Sequence, residues 1–546
     1  MVAAVATVAT MVALTAWRGA LGASRNDDWG LYRVAYRLAR DGEFVLDGWG
    51  GMFFLGQALL AAPVVRTFGE EPAPLQLLVA ATGVIGLVAT YLLVRGFLSR
   101  GRSLVAVACL VVGPLFGPLA VTFMTDVPTF AFSMAALLLA SWGATRPRPL
   151  VWLVASLVVA TFAFTIREYA VVAGVAALGV HLLHAPARRR VVAVGVGWLL
   201  VVGALLFWRS GLEHTVSFQV DLSPGSVGEA FVSMCAAVLT LAFFVSPVLL
   251  AVSVSRLRCW VGARWWPAMA VALAVMALAI VGGGGFVGNY MSPNGPGSGF
   301  WPGTPSPVMS GFLLVAAGVV AVAATAVLVA LAAPLVAELW RRLRAGGLRE
   351  VAAHALAEAE DRPVALVVAS MYALLQAGLM AATLLLLDAP FFDRYLISLV
   401  PILAAVVLWT IARHDLGRPA EMPAPRRWLA PVVAAVVLGW CGAAVADGTA
   451  ARDGLAWELA QHLEDEGVVA DRIEGGPWAG YHQADWWTRA DQLSTACSAV
   501  RHRDGRVQGV MVRTDDRRTF GGTTFGLEAV IYDGQDPDCG RALPDG

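Results

Sequence analysis

Lysine is absent from this chain of 546 residues, and charge of either sign is scarce. Only 14% of the residues are charged, where soluble domains carry about 25%. That depletion excludes an ordinary water-soluble globule. The formal net charge of +0 leaves no basic surplus for nucleic acid. With lysine missing, every topological cation is an arginine, which serves that purpose equally well. Cysteine is sparse too, with six in all. Cys109, Cys235, Cys259 and Cys441 lie in or beside apolar runs at no metal-site spacing, and read as packing residues. Cys497 and Cys539 fall in a polar tail and suit a disulfide if that tail is extracytoplasmic. Also missing are a phosphate-binding Gly loop, the nucleotide-sugar motif of soluble transferases and a Ser-His-Asp arrangement.

What the chain has in abundance is apolar sequence, 58% of its residues. Runs of about 18 residues or more, each able to cross about 30 Å of hydrocarbon, recur up to Ala446. They place spans near 3–20, 76–95, 103–121, 129–145, 150–166, 169–184, 191–208, 230–255, 266–284, 311–336, 364–387, 396–412 and 429–446, about thirteen in all. The run from Val2 to Trp17 has no basic flank, and Ala20 to Ser24 only loosely resembles a cleavage site, so an uncleaved first helix is expected. A shorter stretch from Met52 to Val65 holds Gln57 and Pro63 and reads as a re-entrant or interfacial helix.

Arginine clusters set the orientation. They occur at Arg95, Arg100 and Arg102; Arg146 and Arg148; Arg188 to Arg190; Arg256, Arg258 and Arg264; Arg341 to Arg349; and Arg413 to Arg427. These connectors alternate along the chain with Arg-poor ones, as the positive-inside rule requires if the clusters are cytoplasmic. The N-terminus is then inside, and residues 447–546 form a tail outside the cytoplasm. His181 and His184 sit near a cytoplasmic cluster and read as interfacial residues. The expected class is an all-α polytopic membrane protein, 1–446, carrying a small extracytoplasmic α/β domain, 447–546.

The polar residues worth weighing lie on the outer side. Asp27 and Asp28 follow the first span and precede Tyr32 and an amphipathic stretch, Leu31 to Leu38. Asp126 stands between apolar runs in Thr125-Asp126-Val127-Pro128. At either place, an Asp before a helix also serves as an N-cap. Arg167-Glu168 lies at the outer end of a hairpin, where an ion pair would satisfy both. Arg394-Tyr395 opens a late span, and Arg394 breaks the positive-inside pattern, so it calls for an anionic partner. All four features share one face of the membrane.

In order and sidedness these residues resemble the polyprenyl-phosphate-dependent glycosyltransferases of the GT-C superfamily, in the branch of protein O-mannosyltransferases and aminoarabinose transferases. The resemblance runs from Met1 to about Pro401. It rests on the acidic pair Asp27-Asp28 with Tyr32, the acid before proline at Asp126, and Arg394-Tyr395 with Pro401. Asp28 stands where Glu is commoner, and the tail is not diagnostic. The resemblance implies catalytic outer loops at 23–75 and 122–128, and inverting transfer of a sugar from a polyprenyl-phosphate donor in the plasma membrane to a glycan, lipid or protein. Asp27 would be the base, with Asp28 second. Asp126 would position a substrate, Arg167 and Arg394 would meet the donor phosphate, and Tyr32 and Tyr395 would line the site. Some relatives use a divalent cation, and three loop carboxylates suit Mg or Mn, although no spacing demands one.

In the tail, a helix is expected over Gly454 to Glu466 and strands over Val507 to Arg513 and Leu527 to Tyr532. Trp478, Tyr481, Trp486 and Trp487 suit either sugar stacking or the core of that domain. The segment Asn289 to Pro307, rich in Gly and Pro, reads as an outer loop. A secondary transporter is the chief rival, since a dozen spans is common there, but ionisable residues are nearly absent mid-span and no twofold repeat is evident. A non-catalytic scaffold presenting the tail would leave the outer-face residues unexplained.

Overall fold

The computed structural model describes residues 1–46, 51–184, 188–212, 220, 223–281, 285–296, 307–387, 391–417, 424–482, 498–502 and 510–531. Cys497, Cys539, Trp486, Trp487 and part of the Asn289 to Pro307 segment lie outside the described residues. The first half runs α1 (Val2–Trp17), α2 (Asp28–Arg40), α3 (Leu55–Phe68), α4 (Pro72–Val94), α5 (Arg100–Val112), α6 (Phe116–Leu119), α7 (Asp126–Ala144), α8 (Pro149–Ile166), α9 (Val171–His184) and α10 (Arg188–Ser210). The second half runs α11 (Pro224–Phe244), α12 (Ser246–Leu249), α13 (Val254–Val261), α14 (Trp265–Val281), α15 (Gly311–Glu360), α16 (Val364–Leu386), α17 (Leu399–Arg413) and α18 (Ala424–Asp465). Beyond it come β1 (Ile473–Glu474), α19 (Pro477–His482), β2 (Ser498–His502), β3 (Val510–Arg518) and β4 (Thr524–Ile531).

Among the described residues, 9 helices are long and apolar enough to cross a membrane, counting Val254–Val281 as one. The expectation of about thirteen spans rests for the remainder on shorter apolar helices such as α1 and α17. Exposed apolar side chains on α10, including Val196, Leu200 and Phe207, form the kind of surface that faces hydrocarbon. The segment expected to span 103–121 is broken: α5 stops at Val112, and the short α6 follows. Pro114 disfavours helix at Gly113 and has no N–H to give, and Gly442 of α18 packs its backbone against the Val112 carbonyl.

The tail carries a four-stranded sheet in the order β1-β2-β4-β3, with β1 and β2 parallel and the other pairs antiparallel. The strands expected over Val507 to Arg513 and Leu527 to Tyr532 correspond to β3, which begins at Val510, and β4, which begins at Thr524, and residues 503–509 lie outside the described residues. The helix expected to open the tail is instead the far end of α18, which passes through residue 446 without a break. Its Leu455, Leu459 and Leu463 continue one apolar stripe at helical spacing, and they bury against Trp478, Val500, Leu527 and Ala529. Gly454 allows α18 to lie on the end of α1, since a Cβ there would strike the Arg18 carbonyl oxygen. Gly454→Ala should therefore destabilise the protein by about 1–3 kcal/mol through overpacking. The check is its melting temperature in detergent beside the wild type.

Asp447 adds a second clasp. Its Oδ1 pairs with Arg18 at 2.6 Å and its Oδ2 accepts the Phe520 N–H at 2.8 Å. Phe520, at the turn between β3 and β4, is exposed beside Trp17 and accepts the Trp440 indole N–H at its carbonyl. Aromatic side chains gathered at one level suit a membrane–water interface.

Candidate active site

The turn between α1 and α2 is built by its own sequence. Asn26 takes a left-handed conformation (φ 54), which Asn tolerates better than most residues. Asp28 closes the turn: its Oδ1 accepts from the Ser24 hydroxyl and the Arg25 N–H, each at 2.7 Å. Its Oδ2 accepts from the Tyr32 hydroxyl and the Phe123 N–H, each at 3.3 Å, which joins the first outer loop to the second. Burial pushes the Asp28 carboxyl up to about 7, and the hydrogen bonds from Ser24, Arg25 and Phe123 resist that rise. Asp28 is thus fully engaged in holding the turn.

That arrangement leaves Asp27 at the tip. It occupies the N-cap position of α2 yet makes no capping hydrogen bond. Its Oδ2 instead faces Nη1 of Arg394 at 3.7 Å, an ion pair longer than a hydrogen bond. Burial raises its pKa above the ordinary carboxylate value, with Arg394 and Arg167 opposing and Asp126 reinforcing the rise. Asp126, the first residue of α7, is fully buried and also caps nothing. Its Oδ1 pairs with Arg167 Nη1 at 3.1 Å. Arg167 stands where α8 ends in extended backbone, its guanidinium over the rings of Tyr395 at 5.2 Å and Tyr169 at 5.7 Å.

Arg394 comes from a single 3₁₀ turn, Asp393–Leu396, before α17. It is buried against Phe392 and Tyr395, and its Nε and Nη1 lack a hydrogen-bond partner. Nε of Arg167 and Oδ2 of Asp126 are likewise buried without one. Asp393 accepts the Met291 N–H at 2.6 Å and so ties the 285–296 segment to this turn. Burial lifts the Asp393 carboxyl to about 7.

The structure brings Asp27, Asp126, Arg167, Arg394 and Tyr395 together. Tyr32 stands apart, fully buried behind Asp28 and stacked on Phe123. Three further groups escaped the sequence reading. Arg209, at the end of α10, meets Glu168 at 3.1 Å and donates to the Gly51 carbonyl. An arginine on an Arg-poor side gives the same signal as Arg394 and was there to be used. Tyr290 and Arg25 are also almost wholly buried near the site; Arg25, in the outer loop beside Asp27, carries the same signal, and Tyr290 carries none.

The loop carboxylates do not form a shared ligand set. Asp27 faces Arg394, Asp126 faces Arg167, and Asp28 is taken up by four donors. Among the described residues no group of three or more His, Cys, Asp or Glu is placed to hold a metal ion.

Residues 55–210 match the family model for dolichyl-phosphate-mannose-protein mannosyltransferase. The resemblance to protein O-mannosyltransferases is borne out over that segment. A crystal structure of ArnT from Cupriavidus metallidurans bound to undecaprenyl phosphate is similar at 12% identity, covering 96% of this chain and 97% of that one, with a TM-score of 0.42. AglB from Archaeoglobus fulgidus, an archaeal oligosaccharyltransferase in complex with an inhibitory peptide and a dolichol-phosphate, is similar at 12% identity over 85% of this chain and 59% of that one, with a TM-score of 0.33. No curated protein matches the chain.

Proposed function

We propose that this protein is an inverting glycosyltransferase that moves a sugar from a polyprenyl phosphate to a hydroxyl of an envelope glycan, lipid or protein, on the extracytoplasmic face of the plasma membrane. The observation that carries the reading is the meeting of Asp27 and Arg394 at 3.7 Å, with guanidinium donors left over. A carboxylate not spent on a cap is available to take a proton. A buried guanidinium with unpaired N–H groups is suited to the oxygens of a leaving phosphate.

The reaction balances as a single displacement. Asp27 takes the proton of the acceptor hydroxyl as that oxygen bonds to the anomeric carbon. The bond from the anomeric carbon to the phosphate oxygen breaks, and its electron pair stays on the phosphate, where Arg394 meets the charge. Entry of the sugar separates the Asp27–Arg394 pair, which is already too long for a hydrogen bond. Arg167 is held by Asp126 and by the faces of Tyr169 and Tyr395, so it presents a fixed second cation. Attack on one face and departure from the other inverts the centre. The sugar, the lipid length and the acceptor are set by groups beyond these.

Sidedness is supported by the chain's own charge pattern, which puts the arginine clusters at the helix ends opposite Asp27. The N-terminus is then cytoplasmic, and residues from 447 onward form an outer domain continuous with the last span. Two experiments test this reading. Purified protein in liposomes should transfer label from at least one radiolabelled polyprenyl-phosphate sugar, and silence with every donor overturns the reading. In intact cells, an Asp41→Cys variant should react with a membrane-impermeant maleimide, whereas exposed Cys259, among Arg256, Arg258 and Arg264, should react only after permeabilisation. The opposite labelling puts Asp27 on the wrong side of the bilayer for the donor.

A further inference from the structure

Three polar residues of α18 have no place in the chemistry above, yet all three are buried. Thr449, Arg452 and Asp453 are each no more than 5% exposed. Asp453 is gripped from both sides: its Oδ2 accepts from Arg25 Nε at 3.0 Å and its Oδ1 from Arg452 Nε at 3.2 Å. Arg25 Nη2 reaches the Thr449 hydroxyl at 3.3 Å. Arg452 then donates to the carbonyls of Asn294 at 3.0 Å and Pro296 at 2.5 Å.

Followed outward, the two grips end at the two halves of the candidate site. On one side, the Arg25 N–H donates to Asp28, which closes the turn that carries Asp27. On the other, the segment held by Arg452 is joined to the turn of Arg394. The Met291 N–H donates to Asp393 Oδ2 at 2.6 Å, and the Asp393 N–H to the Gly288 carbonyl at 3.4 Å. Both arms meet at a single carboxylate. Buried ion pairs repay their desolvation poorly compared with apolar packing, so their presence is better explained by the geometry they specify.

We infer that Asp453 is a positioning residue that sets the separation of Asp27 and Arg394, by holding the loop of one through Arg25 and the loop of the other through Arg452. The inference rests on the glycosyltransferase reading of that pair and gives the outer end of α18 a part in catalysis. It touches no substrate. The charged groups facing Asp27 are Arg394, Arg167 and Asp126. Releasing the clamp lets Asp27 drift from both cations, so its carboxyl titrates at higher pH.

The test uses full-length Asp453→Asn, Thr449→Val and Asp27→Asn in liposomes, with the labelled donor that the wild type accepts. Asp453→Asn should lower kcat by about 10–100-fold, the cost of a misplacement of about 1 Å, with the donor KM within about twofold. The acid limb of its kcat profile should move to higher pH. A wild-type kcat overturns the inference. So does a fall in kcat and melting temperature with the acid limb unmoved, which is the mark of a merely structural residue. Should Asp453→Asn fail to fold, Thr449→Val removes one hydrogen bond to Arg25 at constant shape. It should lower kcat by about three- to tenfold with the limb moved the same way, and wild-type behaviour again overturns the inference. If Asp27→Asn abolishes transfer while Asp453→Asn transfers normally, only this inference falls. If Asp27→Asn transfers normally, the reading of the site falls first.

Discussion

Asp27→Asn is expected to lower sugar transfer by about 10²–10⁴-fold while donor binding persists, as removal of a general base does. The substitution keeps the shape and removes the proton acceptor, so protein level and melting temperature should be retained. Asp27 makes no capping bond to lose, and its one ion pair is long. The wild-type pH profile carries the same information with a sign. A base works ionised, so kcat falls as pH drops through its pKa. Burial holds Asp27 above the ordinary value of 3.8, so the fall should set in at higher pH than for a solvated carboxylate. The residual rate of Asp27→Asn should lose that limb. Asp28→Asn makes a useful contrast. Its carboxylate has four donors to satisfy, and an amide oxygen cannot replace both acceptor oxygens, so its loss should appear in stability as well as in rate. Normal transfer by Asp27→Asn, measured with labelled donor in liposomes, removes Asp27 as the base.

The parts of this site visible in the sequence were visible because charge is so rare here. In a chain with apolar runs nearly end to end, Asp27, Asp126, Arg167 and Arg394 stand out, and the arginine alternation assigns them to one side. The same rarity marked the apolar runs, although 103–121 breaks where Pro114 ends α5 and 230–255 breaks after Phe244, each within an apolar run. What stayed hidden depends on partners distant in sequence. Nothing local distinguishes Asp27 from Asp28, yet one meets a guanidinium and the other is consumed by Ser24, Arg25, Tyr32 and Phe123. Arg25 and Asp453 are separated by 428 positions, and no periodicity links them. Asp447, Arg452 and Asp453 read as the onset of a solvated tail because polar residues after a span usually are. Here the helix continues, and neighbouring loops supply the partners that let those charges be buried.

Arg394→Gln should cost about 10²–10³-fold in kcat, comparable to losing a donor that stabilises developing charge. Its effect should differ in kind from that of Asp27→Asn, because two functions are lost together. The phosphate loses its cation, so polyprenyl phosphate, the reaction's product, should bind more weakly, whereas in Asp27→Asn its binding should be retained. Asp27 also loses the nearest charge that favours its ionised form, so the acid limb should move to still higher pH in Arg394→Gln. Arg394→Lys keeps the charge but gives up the planar fork, so it should recover the limb better than the rate. Arg167 does not substitute for it. Arg167→Gln would strand Asp126, a fully buried carboxylate whose Oδ1 has Arg167 as its partner, and a buried charge left alone is costly. Stability should therefore fall in Arg167→Gln, while in Arg394→Gln it should change less, because Arg394 gives no hydrogen bond through Nε or Nη1. If Arg394→Gln bound polyprenyl phosphate as tightly as the wild type and kept its pH profile, the guanidinium would be facing Asp27 for packing alone, and the leaving group would have to be met elsewhere.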